Sequence, residues 1–590
     1  MSYNDSIVAR PSGARQTCSE TTESFVRFFS DSGGSLDKRC GLAEFAEMGV
    51  GMVAVAPIPE DAVLFSIPRH LLLSVRTSLL PELCRATDSA AAQSSGLTWD
   101  KDVGVGWLPL ITTMMWERWR TSPEGRSAWE QRQQQQQQHS NGSQSRSQEW
   151  GPYFDVLPKT FDTPMFWSSD ELEELRGTTV VDKIGKDEAS KDYFDILLPY
   201  IRSRADIFFG SAKSQEAQEQ MVKTFYSIED FHLMGSRILS RSFHVKKPEA
   251  GQEGPVGDIM DDEGEADGNE DDEMDEDGQD KDDNDGEEAE EEEEEGAEAI
   301  EAVTIVPMAD MLNARFGCDN ARLFYKEDVL EMRATRNIEQ NEQIWNTYGE
   351  PPSSDLLRRY GYVDLANVND VVEVAVSHLV GACLDLEQIS EERTRTKREA
   401  ELMARAEWWA SEGLDEVFAL SYAFPPSSQP PHRPEPVDPS AKELKAAASA
   451  FSEEILVAAR ILCLSEENFE RAKKKAKMPN ARIEAEEQHG SNKTMGVAEL
   501  LIRALEKRRQ EYPTSIEEDE ELLYGQQRSE VKDLRARNAI VVRLSEKRII
   551  EDNIRVLRGA IELGRAAAAD AKKRTTTSES NGRAGKKAKR

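Results

Sequence analysis

The chain has 590 residues, enough for two or three domains, and its 38% hydrophobic content can build a core, which excludes a chain disordered throughout. Its formal net charge of −38 is unevenly placed: residues 258–301 hold 27 acidic residues and one lysine, −26 in all, and the remainder carries −12, ordinary for a soluble protein of this size. Six cysteines (Cys18, Cys40, Cys84, Cys318, Cys383, Cys463) show no CxxC spacing, which argues against a zinc site or a disulfide framework and fits a reducing compartment.

In chain order, residues 1–18 are polar and read as a frayed terminus, with no charged start followed by an apolar run. Phe25, Phe28 and Phe29 have helical spacing, stopped by Gly33-Gly34, so a core-facing helix is expected. Met48-Gly49-Val50-Gly51-Met52-Val53-Ala54 follows, then Val63-Leu64-Phe65-Ser66-Ile67-Pro68-Arg69. Paired glycines let a backbone turn tightly or approach a ligand, although most such pairs are merely turns. No helix opens after Gly51, so this is not the phosphate-cradling loop of a dinucleotide site.

Residues 107–119 predict an amphipathic helix with Leu108, Ile111, Met115 and Trp119 on one face, a stripe that is more often core than ligand box. Residues 131–148 are a low-complexity Gln/Ser stretch, read as a disordered loop. Helical patterns run over 170–175, 192–209 and 228–243. Arg241 near the end of the last is by default a surface cation. The acidic insertion, 249–301, repels itself and stays solvated. It is either a tolerated surface insertion or an electrostatic lure for a basic protein.

The most informative stretch follows. An apolar lead-in, 303–308, runs into a polar knot, 310–313, then strand-like runs at 322–325, 329–335 and 343–348, closed by Gly349. A short helix from Ser354 to a stop at Gly361 carries Leu356, Leu357 and Tyr360 on one face. Buried Asn and Tyr need partners for their polar atoms, so this stretch reads equally as a satisfied core or a site. Beyond Asp364 an apolar run, 371–386, precedes helical segments at 391–411, 441–464, 497–512 and 529–563, with a Pro-rich break at 425–439 and a basic patch at 473–477. Proline and glycine interruptions favour a compact helical bundle over a coiled coil. The tail ends Lys586-Lys587-Ala588-Lys589-Arg590, a solvated terminus or a nuclear import signal.

Asn313, Asn346-Thr347-Tyr348-Gly349 and Tyr360-Gly361, in that order, resemble the C-terminal half of a SET domain, the fold of protein-lysine methyltransferases that use S-adenosylmethionine. The wording VPMADMLN, WNTYG and RRYGYVD resembles the Rubisco large-subunit methyltransferase-like branch, and within it the fungal ribosomal enzymes. GxGMVA followed by LFSIPR is similar to the opening of that fold, and the aromatic stretch 150–167 to its helical insert.

The resemblance implies an α+β protein. A mainly-β SET domain would span 21–365 with a helical insert at about 75–240. An all-α substrate-binding domain, 366–566, and a basic disordered tail, 567–590, would follow. Met48, Gly49, Val50 and Gly51 would present backbone groups to the methionine end of S-adenosylmethionine. The planar fork of Arg241 would hold a carboxylate. Asn313 and the Ala314 backbone would hold the adenine and amino-acid ends; the branch usually has Asn-His where this chain has Asn-Ala. Tyr360 would line the pocket or pack on the cofactor, and Tyr348 would be the catalytic tyrosine. Asp310 would orient the substrate lysine or, as favoured here, satisfy local backbone donors. No metal is implied.

The activity so implied is monomethylation of a lysine on a large (60S) subunit ribosomal protein by a nuclear, monomeric enzyme, whose partner is a basic protein rather than nucleic acid or membrane. Two other readings stay open. One is a methyltransferase of a nuclear factor or histone, or of a histidine. The other is a non-catalytic acidic scaffold for basic proteins.

Overall fold

The computed structural model describes residues 19–45, 48–137, 148–210, 212, 214–245, 254–255, 303–315, 317–365, 367–413, 415–426, 439–475, 496–526, 531 and 533–587. The readings for 1–18, for 138–147 of the Gln-rich stretch and for nearly all of the acidic insertion lie outside them. The chain divides into two compact units, Met1–Phe161 with Gly185–Glu350, and Asp162–Ile184 with Pro351–Arg590. The division at 350/351 falls earlier than the expected 365/366, and the second unit takes a segment from within the helical insert.

In the first unit, the helix Glu20–Asp31 is capped by Ser19 and buries Phe25, Phe28 and Phe29. The strands are β1 (Ser35–Leu36), β2 (Cys40–Phe45), β3 (Gly49–Ala54), β4 (Val63–Pro68), β5 (Ser242–His244), β6 (Gly254–Pro255), β7 (Val303–Ile305), β8 (Ala321–Tyr325), β9 (Val329–Ala334) and β10 (Gln343–Ile344). They form a five-stranded antiparallel sheet in the order β1-β4-β9-β8-β6, a three-stranded sheet β10-β3-β2 and a pair β5-β7. Strand β9 shows why the sequence pairs this way: Leu330, Met332 and Ala334 alternate inward against half-exposed neighbours. Its turn-linked partner β8 meets it in register from Ala321↔Ala334 to Tyr325↔Leu330. Gly254 and Pro255, expected to be disordered, instead add β6 to the edge opposite Tyr325 and Phe324.

Helices fill the chain between β4 and β5. Leu108–Arg120 is buried on nearly every side rather than on one face. Most of its polar side chains find partners within the helix or on neighbouring elements, which makes that burial tolerable, while Trp119 Nε1 has none. Thr112 and Thr113 donate to the carbonyls of Leu108 and Pro109, and Glu117 pairs with Arg120 at 2.7 Å and accepts from Ser78. The helix Pro123–Gln137 runs into the glutamines expected to be loop, since glutamine is a good helix former. The expected helix over 192–209 is broken into Lys186–Asp192, a π-helical turn Tyr193–Leu197, Leu198–Ser203 and Ala205–Phe208. Pro199 lies in the first turn of the third piece and has no N–H to continue the ladder.

The second unit is helical with one addition, a two-stranded sheet of β11 (Val371–Ala375) and β12 (Val417–Ser421). The apolar run 371–386 is thus strand, then helix (Val376–Leu386). The expected helix over 441–464 is two, Ala441–Ser449 and Glu453–Cys463. The last helix, Leu534–Lys587, continues through most of the tail expected to be disordered, where 566–569 is an alanine run of high helix propensity. Trp167, Leu175 and Val180 of the segment Asp162–Ile184 pack with Leu357, Ala539 and Val542. Among the described residues no helix is long and apolar enough to cross a membrane.

Candidate active site

Three elements of the first unit converge: the start of β3, the chain running on from β10, and a 3-10 turn, Ala309–Met311. Strand β10 pairs with β3 through Gln343↔Val53 and Ile344↔Met52, which aims the following residues along the start of β3. The expected strand 343–348 therefore ends at Ile344, and its continuation turns to the 313–314 segment. There the Asn346 amide donates to the Asn313 carbonyl at 2.9 Å, and Ala314 bridges Asn346 in parallel.

Asn320 holds this continuation. It is fully buried; its carboxamide oxygen accepts from the Trp345 amide at 2.8 Å, and its nitrogen donates to the Gln343 carbonyl at 3.0 Å. Sequence reasoning passed over Asn320. The available signal was a polar Cys318-Asp319-Asn320 triplet directly before an alternating strand.

At the start of β3, Gly49 has φ +71, and a Cβ there would meet nothing within 4 Å. Gly49 is thus required for its backbone conformation and leaves open space. Gly51 is required for a different reason: its Cβ would lie 2.5 Å from the Asn313 carboxamide nitrogen and 2.9 Å from the Phe45 ring. Met48 is 39% exposed and Val50 half-buried.

The 3-10 turn is entered through Met308, a buried non-glycine residue with φ +78. Such strain persists only where surroundings impose it, and it clusters at functional sites. Asp310 is buried within this turn. Its carboxylate accepts from the Tyr153 hydroxyl at 2.7 Å and lies 3.7 Å from the Arg241 guanidinium, which donates to the Asp310 carbonyl. Burial pushes the Asp310 carboxyl up to about 6, with Arg241 and Tyr153 opposing. Arg241, read by default as a surface cation, is largely buried and faces inward. Burial also raises Tyr348; the Arg241 charge pulls it down and Asp310 pushes it up, so the phenol keeps its proton at neutral pH.

Three buried polar atoms here have no hydrogen-bond partner: Arg241 Nε, Asp310 Oδ1 and Asn313 Nδ2. Buried polar groups are rarely left so, and such atoms can be met by a water or by a polar ligand. The structure thus brings together Gly51, Asn313 and Ala314 in one cluster and Arg241, Asp310 and Tyr348 in another, with Met48, Gly49 and Val50 at the open start of β3. Tyr360 belongs to the second unit, at the end of the helix Ser353–Tyr360 capped by Gly361 at φ +80; its ring lies 6.3 Å from that of Tyr362. Tyr153 was a further omission, since its WGPY context reads only as a helix start.

Residues 398–550 match the family described as Rubisco LSMT substrate-binding. The chain is 30% identical over 337 residues to ribosomal lysine N-methyltransferase 4 of Saccharomyces cerevisiae, covering 57% of this chain and 53% of that protein, about half its length. It is 23% identical over 519 residues to N-lysine methyltransferase SETD6 of Mus musculus, covering 85% and 83%. Among solved structures, the SET domain of LSMT bound to lysine and AdoHcy aligns with a TM-score of 0.52 at 14% identity, covering 92% of each chain. The chain therefore has the SET fold of that structure, and its residues 398–550 match the Rubisco LSMT substrate-binding family.

Proposed function

We propose that this chain is an S-adenosylmethionine-dependent protein-lysine N-methyltransferase. The observation that carries the reading is the set of unpartnered buried atoms, Arg241 Nε, Asp310 Oδ1 and Asn313 Nδ2, with the Arg241 and Asp310 charges acting on the Tyr348 phenol. That donor set fits the cofactor: a guanidinium for its carboxylate, a carboxamide for its base or amino-acid end, and a strand start at Gly49 open to close approach. Ala314 already acts through its backbone toward Asn346, which supports a backbone role where the branch carries histidine.

Bound there, the cofactor supplies a methyl group on a sulfonium. The chain must align it with an amine, exclude water and present that amine uncharged. Positioning is the large contribution, on the order of 7–11 kcal/mol for well-oriented partners. A lysine begins protonated, with a pKa of about 10.4, and burial disfavours that charge. Tyr348 keeps its proton, so its role is to orient the amine by hydrogen bonding rather than to remove a proton. Asp310 supplies a negative charge beside it, suited to drawing in an ammonium.

The substrate we propose is a lysine of a large-subunit ribosomal protein, monomethylated in the nucleus, with the basic tail as import signal and the acidic insertion as lure. Similarity to the yeast ribosomal enzyme supports this; the longer similarity to the N-lysine methyltransferase SETD6 supports a lysine acceptor without naming the protein that carries it. Purified chain with radiolabelled S-adenosylmethionine, offered 60S ribosomal proteins and, separately, histones, tests both. Label on a ribosomal protein is expected. Label on histones alone favours the second substrate, and no label with either removes the enzyme reading.

A further inference from the structure

Besides Arg241 at the end of its last helix, the helical insert delivers Tyr153 to the site. It sits in the short helix Gly151–Val156, fully buried, with its ring packed against Phe25, Trp150 and Phe154. Its hydroxyl donates to the Asp310 carboxylate at 2.7 Å. This is a long-range contact between the insert and the strained 3-10 turn, and packing on three rings leaves the phenol little freedom to move. The charged and titratable groups around the pair come from three directions. Arg241 and Arg237 lie on the helix Ile228–Arg241, Tyr348 lies beyond β10, and the turn adds its own backbone amides at Met308 and Asp310. Arg237 is occupied elsewhere, donating to the Pro158 carbonyl at 2.8 Å, which leaves Arg241 as the cation paired with Asp310.

Resting on the function proposed above, we infer that Tyr153 is a positioning residue: by holding the Asp310 carboxylate it sets the charge that lies 3.7 Å from the Arg241 guanidinium and acts on the Tyr348 phenol. The insert is then part of the reaction centre and not only its scaffold. Without the phenol, Asp310 keeps its burial but loses a hydrogen bond to its charged form. It takes up a proton at higher pH, and Arg241 loses its counter-charge.

The test uses the full chain and S-adenosylhomocysteine as the calorimetric probe from pH 5 to 8, beside methyl-transfer rates over the same range. The wild type is expected to lose affinity and rate as pH falls through about 6. Tyr153→Phe keeps the ring packing and is expected to move both midpoints upward by about one pH unit. Asp310→Asn is expected to abolish the acid-side dependence. Tyr226→Phe controls for loss of a buried phenol, because Tyr226 is fully buried and donates to the Phe208 carbonyl at 3.0 Å, away from this cluster. It should lower stability without moving either midpoint. Midpoints of Tyr153→Phe that coincide with those of the wild type or of Tyr226→Phe overturn the inference while leaving the enzyme reading intact. A wild type that binds no probe at any pH overturns both.

Discussion

A Cβ on residue 51 would lie 2.5 Å from the carboxamide nitrogen of Asn313, so β3 and the 313–314 segment meet with no room for a side chain between them. Two parts of the sequence more than 250 residues apart are thereby held at one point. Replacing Gly51 with alanine forces the Asn313 carboxamide or the Phe45 ring aside, an overpacking cost of about 1–3 kcal/mol. Affinity for S-adenosylhomocysteine is expected to fall about tenfold, measured by calorimetry. An unchanged affinity would separate Asn313 from the binding site.

Tyr348→Phe removes only a hydroxyl that is neutral at working pH. Loss of one oriented hydrogen-bonding group at a reacting centre costs roughly 10²–10³ in rate. The expected outcome is that drop in kcat, with the melting temperature and probe affinity nearly unchanged. Wild-type rates in the variant would remove Tyr348 from the chemistry.

In the second unit Glu546 is fully buried and accepts from the Tyr512 hydroxyl at 2.6 Å and from the Thr179 hydroxyl at 2.6 Å. Burial pushes it up to about 7, above its ordinary 4.5, with Arg508 opposing. A carboxyl raised on folding contributes stability that is fully present below the unfolded value and is lost as pH rises through the folded one. Between about pH 4.5 and 7 this group therefore makes stability decline with rising pH. Denaturant unfolding across that range should show Glu546→Gln with a flatter dependence than the wild type. Parallel curves would assign the slope to other groups.

Asp519 lies wholly buried between Arg543 at 2.9 Å and Lys547 at 2.7 Å, both almost unexposed. Removing one partner of a buried ionic group leaves uncompensated charge and costs about 3–5 kcal/mol. Asp519→Asn strands two cations, so thermal unfolding should show a loss in that range or failure to fold. Arg543 keeps Glu174, which is half-exposed and too hydrated to compensate. A loss below about 1 kcal/mol would mean that the triad is open to water.

How far the sequence reached can be judged from single residues. Strands β8 and β9 were legible to within a residue because alternation with period two survives in any register. The helix ending at Gly361 was legible because its stop needs a left-handed residue, and glycine supplies one. The helix over 192–209 was misread because periodicity ignores a single missing N–H at Pro199. The one-faced helix expected at 107–119 was misread because periodicity cannot see threonines bonded within their own helix and a glutamate held by Ser78 and Arg120.

The sequence by itself determined the main strands of the 322–344 region, the two domain types and the candidate residues from Gly49 to Tyr348, since these depend on local pattern and motif wording. Only the tertiary structure decided which of those residues meet. It joined Gly51 to Asn313, set Arg241 against Asp310, supplied Tyr153 and Asn320, and assigned Tyr360 to the other unit. The physical reason is that a buried polar group takes its partner from whatever element packs against it, and that partner can lie anywhere along the chain.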